Sequence, residues 1–110
     1  MQMQLSEKPF LQIKNGEKTV EVRLLDDKRK TLKVGDRISF TNRETGDIIN
    51  AKVVALHNFS SFEKLFCGER FKKCGFNNYT CEEAVKEMYN YYSPEEEKRL
   101  GVLGIEIKLI

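Results

Sequence analysis

Three ionisable side chains of unlike chemistry, Lys18, Glu21 and Arg23, stand close together in the run Gly16-Glu17-Lys18-Thr19-Val20-Glu21-Val22-Arg23-Leu24. From Lys18 the run alternates, with Val20, Val22 and Leu24 on one parity and Thr19, Glu21 and Arg23 on the other, the period of a half-buried strand. Residues two apart on a strand sit roughly 6.5 Å apart at the backbone, so the Glu21 carboxylate and the Arg23 guanidinium are within reach of each other. Lys18 has the opposite parity. It joins them only if the turn at Asn15-Gly16 re-aims the strand's first residue. Sharing one hollow, the two cations would meet phosphate or base acceptors, while Glu21 would orient Arg23 or accept from an exocyclic amine. Spread over a solvated strand face, the same residues would do little.

Gly16, Lys18, Glu21 and Arg23, in the spacing Gly-x-Lys-x-x-Glu-x-Arg, resemble the signature of the ASCH (activating signal cointegrator homology) family. The resemblance extends in pattern to the Gly35-Asp36 turn, a tyrosine-containing helix and the closing Gly101-Val102-Leu103-Gly104-Ile105 segment. It implies an α+β fold: a small PUA-like mixed β-barrel with helices packed across one opening. It also implies that the opening motif lines a cleft for RNA or a modified nucleoside. Candidate ligand-binding residues are Lys18, Glu21, Arg23, Asn77, Tyr89 and Tyr92, with Tyr91 a further stacking surface, because a base offers a π-face whatever its identity. Some ASCH proteins resemble acetylcytidine amidohydrolases, which use a lysine at the Lys18 position, a threonine on the same strand and a glutamate before the long helix. Here Glu21 falls at the threonine position and Asn77 at the glutamate position. The hydrolytic alternative therefore has Glu21 activating water and Lys18 stabilising the oxyanion. A metal-independent ribonuclease is a third reading, with proton donors and phosphate clamps drawn from His57, Lys18, the tyrosines and the arginines.

A chain of 110 residues suits one domain, residues 1–110, with a single core that needs neither disulfide nor metal. Lysine and arginine number 19 against 17 acidic residues, a formal charge of +2, so affinity for nucleic acid must come from local clustering of charge. No apolar run approaches a membrane span, and the start, Met1-Gln2-Met3-Gln4, has neither the basic region nor the apolar core of a signal peptide. A cytoplasmic protein without a membrane partner is expected. Cys67, Cys74 and Cys81 are spaced seven apart, with no Cys-x-x-Cys pair, so reduced thiols and no metal site are expected. No phosphate-cradling glycine loop or other cofactor fingerprint is present. The lone histidine, His57, is read as a hydrogen-bonded structural residue.

The elements that must position these residues follow from periodicity and punctuation. Leu5 to Asn15 reads as a helix capped by Ser6, stapled by Leu5 and Phe10 and stopped at Gly16, with a hairpin about Asn15-Gly16 as the alternative. After the motif strand, Leu25 to Lys33 is a charged loop, read either as solvated or as a basic lip. Val34-Gly35-Asp36 turns into a strand from Arg37 to Thr41, and Asn42 to Gly46 turns into a second from Asp47 to Leu56, with Ile49, Ala51, Val53 and Ala55 on one face. Ile48, Val54 and Leu56 on the other face predict cover on both sides for part of the strand's length. A capping box at Ser60 and Glu63 predicts a short helix ending at Cys67-Gly68, and Glu69 to Asn78 reads as irregular. Thr80 and Glu83 form another box, opening the main helix with Ala84, Val85, Met88, Tyr89 and Tyr92 at helical spacing. Ser93-Pro94 opens a last helix, closed by Gly101. Val102 to Ile110 is the final strand, with Leu103, Ile105, Ile107 and Leu109 inward.

Overall fold

Alternating apolar residues build five strands of one sheet, and the computed structural model describes them within the whole chain, Met1–Ile110. In chain order the elements are β1 (Gln2–Leu5), α1 (Glu7–Lys14), β2 (Val20–Leu24), β3 (Arg37–Asn42), β4 (Ile48–Phe59), α2 (Phe62–Phe66), α3 (Cys81–Met88), α4 (Pro94–Leu100) and β5 (Val102–Leu109). Single 3-10 turns lie at Arg29–Thr31 and Glu69–Lys73. The sheet order is β1-β3-β4-β5-β2, antiparallel except where β1 runs parallel to β3. The sheet curls into a half-barrel. Its two edge strands, β1 and β2, meet across a seam that the Arg23 guanidinium bridges by donating from Nη2 to the Gln4 carbonyl at 3.0 Å. This is the α+β, PUA-like barrel expected from the sequence.

The core divides on β5, which is buried on both faces. Leu103, Ile105 and Ile107 join Phe10 and Ile13 of α1 and Ile38, Phe40, Ala51 and Val53 of the sheet. Val102 joins Val20, Val22 and Leu24 of β2 with Phe62, Leu65 and Phe66 of α2 and Ala84 and Met88 of α3. Gly104 lets that second layer pack closely: a Cβ there would stand 3.1 Å from Leu65 Cδ1, tight enough that Leu65 of α2 would have to shift by a few tenths of an ångström.

Several boundaries differ from the sequence reading, each for a local reason. Leu5 belongs to β1, and α1 begins after Ser6, whose side chain accepts no capping hydrogen bond. The cap of α2 is Ser61, accepting from the Lys64 amide, so the box at Ser60 and Glu63 is displaced by one residue. The boxes opening α3 and α4 form as read. Cover on both faces of β4 is confined to its end: Ile48 and Val54 are exposed, while Leu56 packs on the first cluster and Phe59 on the second. A bulge between Val53 and Ala55 shifts the register there and turns Leu56 back onto the core that Ala51 and Val53 face. Leu109, at the sheet's end, is exposed rather than inward. Phe71 and Phe76, in the stretch read as irregular, pack against the second cluster. The Glu106 carboxylate accepts a hydrogen bond from His57 Nε2 at 2.9 Å, the structural role expected of the histidine.

Candidate functional site

Lys18 precedes the paired part of β2, so strand parity does not govern it. The Gln12 carbonyl at the end of α1 accepts from the amides of both Glu17, at 2.9 Å, and Lys18, at 3.1 Å, while Gly16 turns the chain at φ 82°. The Thr19 amide then donates to Lys73, and pairing with β5 begins at Val20. Held this way, the Lys18 ammonium lies 2.8 Å from Glu21 Oε1. Arg23, two residues on, places Nε at 3.1 Å and Nη2 at 3.0 Å from Glu21 Oε2. The three side chains therefore converge, with Glu21 between the two cations.

Glu21 is 3 % exposed and Lys18 9 %, so this is not the solvated strand face that the alternation also allowed. Burial by itself would push the Glu21 carboxyl upward and is the largest influence on it. The charges and hydrogen bonds of Lys18 and Arg23 together outweigh it, and the pKa falls to about 2. The carboxylate also accepts from the Val22 amide at 3.2 Å, which nearly fills its lone-pair sites. Its chemical part is to orient cations. Lys18, with three N–H groups, and Arg23, whose Nη1 has no protein acceptor among its hydrogen bonds, keep donors to offer.

These residues line a cavity of about 590 Å³ between the seam and the end of α3. One wall is Gln4, Lys8 and Gln12, from β1 and α1; the other is Cys74, Gly75, Phe76 and Tyr79, followed by Met88, Tyr91 and Tyr92. Gly75 has φ 88°, and a Cβ on it would come within 2.6 Å of Gln12 Oε1 and 3.0 Å of Lys18 Cδ. Only glycine lets this loop close over Lys18, and Gln12 Nε2 fastens it by donating to the Gly75 carbonyl at 2.9 Å. Tyr92 stacks on Phe62 at 5.9 Å between centroids, and burial raises its hydroxyl above the usual range. Tyr91 is 65 % exposed at the rim, and Lys8 Nζ lies 5.6 Å from the Tyr79 ring centroid. Burial, the largest influence, pushes the Cys74 thiol up to about 12, so it is no nucleophile at neutral pH.

Two sequence candidates fall outside the cavity. Asn77 is exposed and donates to Glu17 Oε2 at 3.3 Å. Tyr89 donates its hydroxyl to Glu97 Oε1 at 2.6 Å; α3 stops at Met88, so the helical spacing that paired Tyr89 with Tyr92 lapses there. Arg43, Gln12 and Gly75 were not singled out from sequence, and the Gln12–Gly75 contact spans 63 positions. No three His, Cys, Asp or Glu side chains gather as a metal ion would require, and no helix is long and apolar enough to cross a membrane.

A family model described as the ASCH domain matches residues 3–110. The fold is similar to a solved structure titled as hypothetical protein PH0355, with a TM-score of 0.89 and 37 % identity over 99 % of this chain and 97 % of that one. It is also similar to protein PF0455 from Pyrococcus furiosus, with a TM-score of 0.77 and 31 % identity over 100 % of this chain and 98 % of the other. An ASCH structure from Zymomonas mobilis shares the fold at 15 % identity and a TM-score of 0.69, over 97 % of this chain and 65 % of that one. Among curated proteins, none matches.

Proposed function

We propose, from the premise that this chain belongs to the ASCH domain family, that its cavity binds RNA or a modified nucleoside, seating one base over the Lys18–Glu21–Arg23 cluster. The observation that carries this reading is a buried carboxylate used as an anchor for two cations in a hollow with tyrosines at its mouth. Cations so held point N–H donors at carbonyl or ring-nitrogen acceptors, which every base possesses. Tyr91, exposed at the rim, supplies an aromatic surface for stacking. The volume lies inside the roughly 300–1,000 Å³ usual for small-ligand sites.

Geometry gives the hydrolytic reading less support. A general base works best with a pKa near the working pH, and Glu21 at about 2 is far below it. Asn77, at the position where the hydrolases carry glutamate, faces Glu17 instead of the cavity. The ribonuclease reading loses His57, which is engaged with Glu106 and does not line the cavity.

Titration of the isotope-labelled protein with the four ribonucleosides, with N4-acetylcytidine and with a four-nucleotide RNA at low salt tests the proposal. Amide shifts concentrated at Lys18 to Arg23 and Tyr91–Tyr92 are expected, with Lys18→Gln weakening binding by about tenfold, the worth of one charge-assisted hydrogen bond. No shift with any of these ligands overturns it. Release of cytidine from N4-acetylcytidine, lost in Lys18→Gln, would replace binding by hydrolysis.

A further inference from the structure

Beyond Arg23 the cavity continues into a second hollow of about 340 Å³. Gln4, Arg23 and Arg43 line both, so these three residues form the boundary between them. The second hollow is lined by four cations, Arg23, Lys28, Arg29 and Arg43, and by no carboxylate. Two of the four are already matched: Arg23 by Glu21, and Arg29 by Asp26 at 2.9 Å. Lys28 reaches only the Gln2 carbonyl, at 3.4 Å, and Arg43 takes part in none of the ion pairs. Arg29 adds a further donor without an acceptor: its Nε is buried and makes no hydrogen bond, although Nη1 is held by Asp26. Lys28 and Arg43 are thus two cations on the lining of this hollow that no carboxylate of the chain neutralises, and an anion is the natural partner for them.

We infer that this hollow is a phosphate subsite, and that the ligand of the main cavity is a nucleotide or an RNA strand, not a free nucleoside. This rests on the base-binding reading and extends it. A phosphate brings several strong acceptor oxygens and at least one negative charge. Seated between Lys28, Arg29 and Arg43, it leaves the attached sugar to pass over Arg23 and the base to enter the main cavity. The shared chemistry is a phosphate ester; its source is either a terminal monoester or the diester backbone of a strand.

Calorimetric titration of the four ribonucleosides, their 3′- and 5′-monophosphates and a four-nucleotide RNA lacking terminal phosphates distinguishes these cases. A phosphate-bearing ligand is expected to bind at least about tenfold more tightly than its nucleoside. That ratio should fall towards one in Lys28→Gln and Arg43→Gln, with the slope of log affinity against log salt reduced by roughly one for each cation removed. A monophosphate that beats the unphosphorylated RNA assigns the monoester; the reverse assigns the strand. Equal affinity for nucleoside and nucleotide, unchanged in both variants, overturns the inference and leaves base binding intact. Inorganic phosphate, followed by shifts of the Arg29 and Arg43 Nε signals, reads the subsite by itself. Shifts there without nucleoside binding would sustain the subsite and reject the base site.

Discussion

Removing the charge of Glu21 would leave two largely buried cations facing each other. Breaking a buried pair on one side costs about 3–5 kcal/mol, and Glu21→Gln keeps the shape while removing the charge, so a loss near the lower end, about 3 kcal/mol, is expected by urea unfolding. The same carboxyl sets an acid limb. Its folded pKa is lowered to about 2, so the stabilisation is complete above the ordinary carboxylate value and drains as pH falls towards 2. Wild type should therefore lose on the order of 3 kcal/mol relative to Glu21→Gln between pH 5 and 2. Parallel acid curves for the two proteins would refute the account. At this scale the sequence was informative where partners are near neighbours. Glu21 and Arg23 share a strand face, and Lys18 follows from the turn before it. Gly75 and Arg43 were hidden because their value lies in what distant chain brings to them, Gln12 in one case and β1 in the other.

Elements were legible where their signals are local. The boxes at Thr80 and Ser93 fixed the starts of α3 and α4, and alternation fixed β2, β3 and most of β5. β1 carries no local signal, because Met1 to Leu5 is short and its partner, β3, lies more than thirty positions away. The bulge in β4 has no sequence mark beyond an apolar residue, Val54, on the wrong parity. Packing of α2 on α3 also brings together two thiols that seven-residue spacing did not suggest as a pair: Cys67 Sγ and Cys81 Sγ are 3.3 Å apart, while Cys74 is buried elsewhere. Treatment with diamide, which accepts the two hydrogens as the disulfide forms, should join Cys67 to Cys81. Intact mass should then fall by two hydrogens, with one cysteine, Cys74, left to alkylate after denaturation. Three alkylatable thiols after that treatment would mean that the two helices do not approach as described.

For the whole molecule, the barrel plan followed from element order, since a last strand had to return to a sheet begun near the N-terminus. What order alone could not convey is the seam. The sheet stays open between β1 and β2, and a side chain rather than a backbone ladder spans the gap. Arg23→Met should leave the β3–β4–β5 ladder protected while the β1 contacts loosen. Exchange of the Ser39 and Arg43 amides, which donate to the Met1 and Leu5 carbonyls, is expected to quicken on the order of tenfold. Unchanged protection at both amides would show that the seam holds without the guanidinium. The small net charge, +2, likewise conceals a local concentration of cations beside this gap.

Because one guanidinium serves both hollows and the gap in the barrel, a screen for loss of function would return Arg23 first and learn little from it. Alleles that uncouple the two compartments must avoid that position: changes at Lys28 touch only the cationic side, and changes at Tyr91 only the aromatic one. A pair of such alleles, each sparing what the other destroys, would let a geneticist separate the two halves of the proposed site that this one side chain joins.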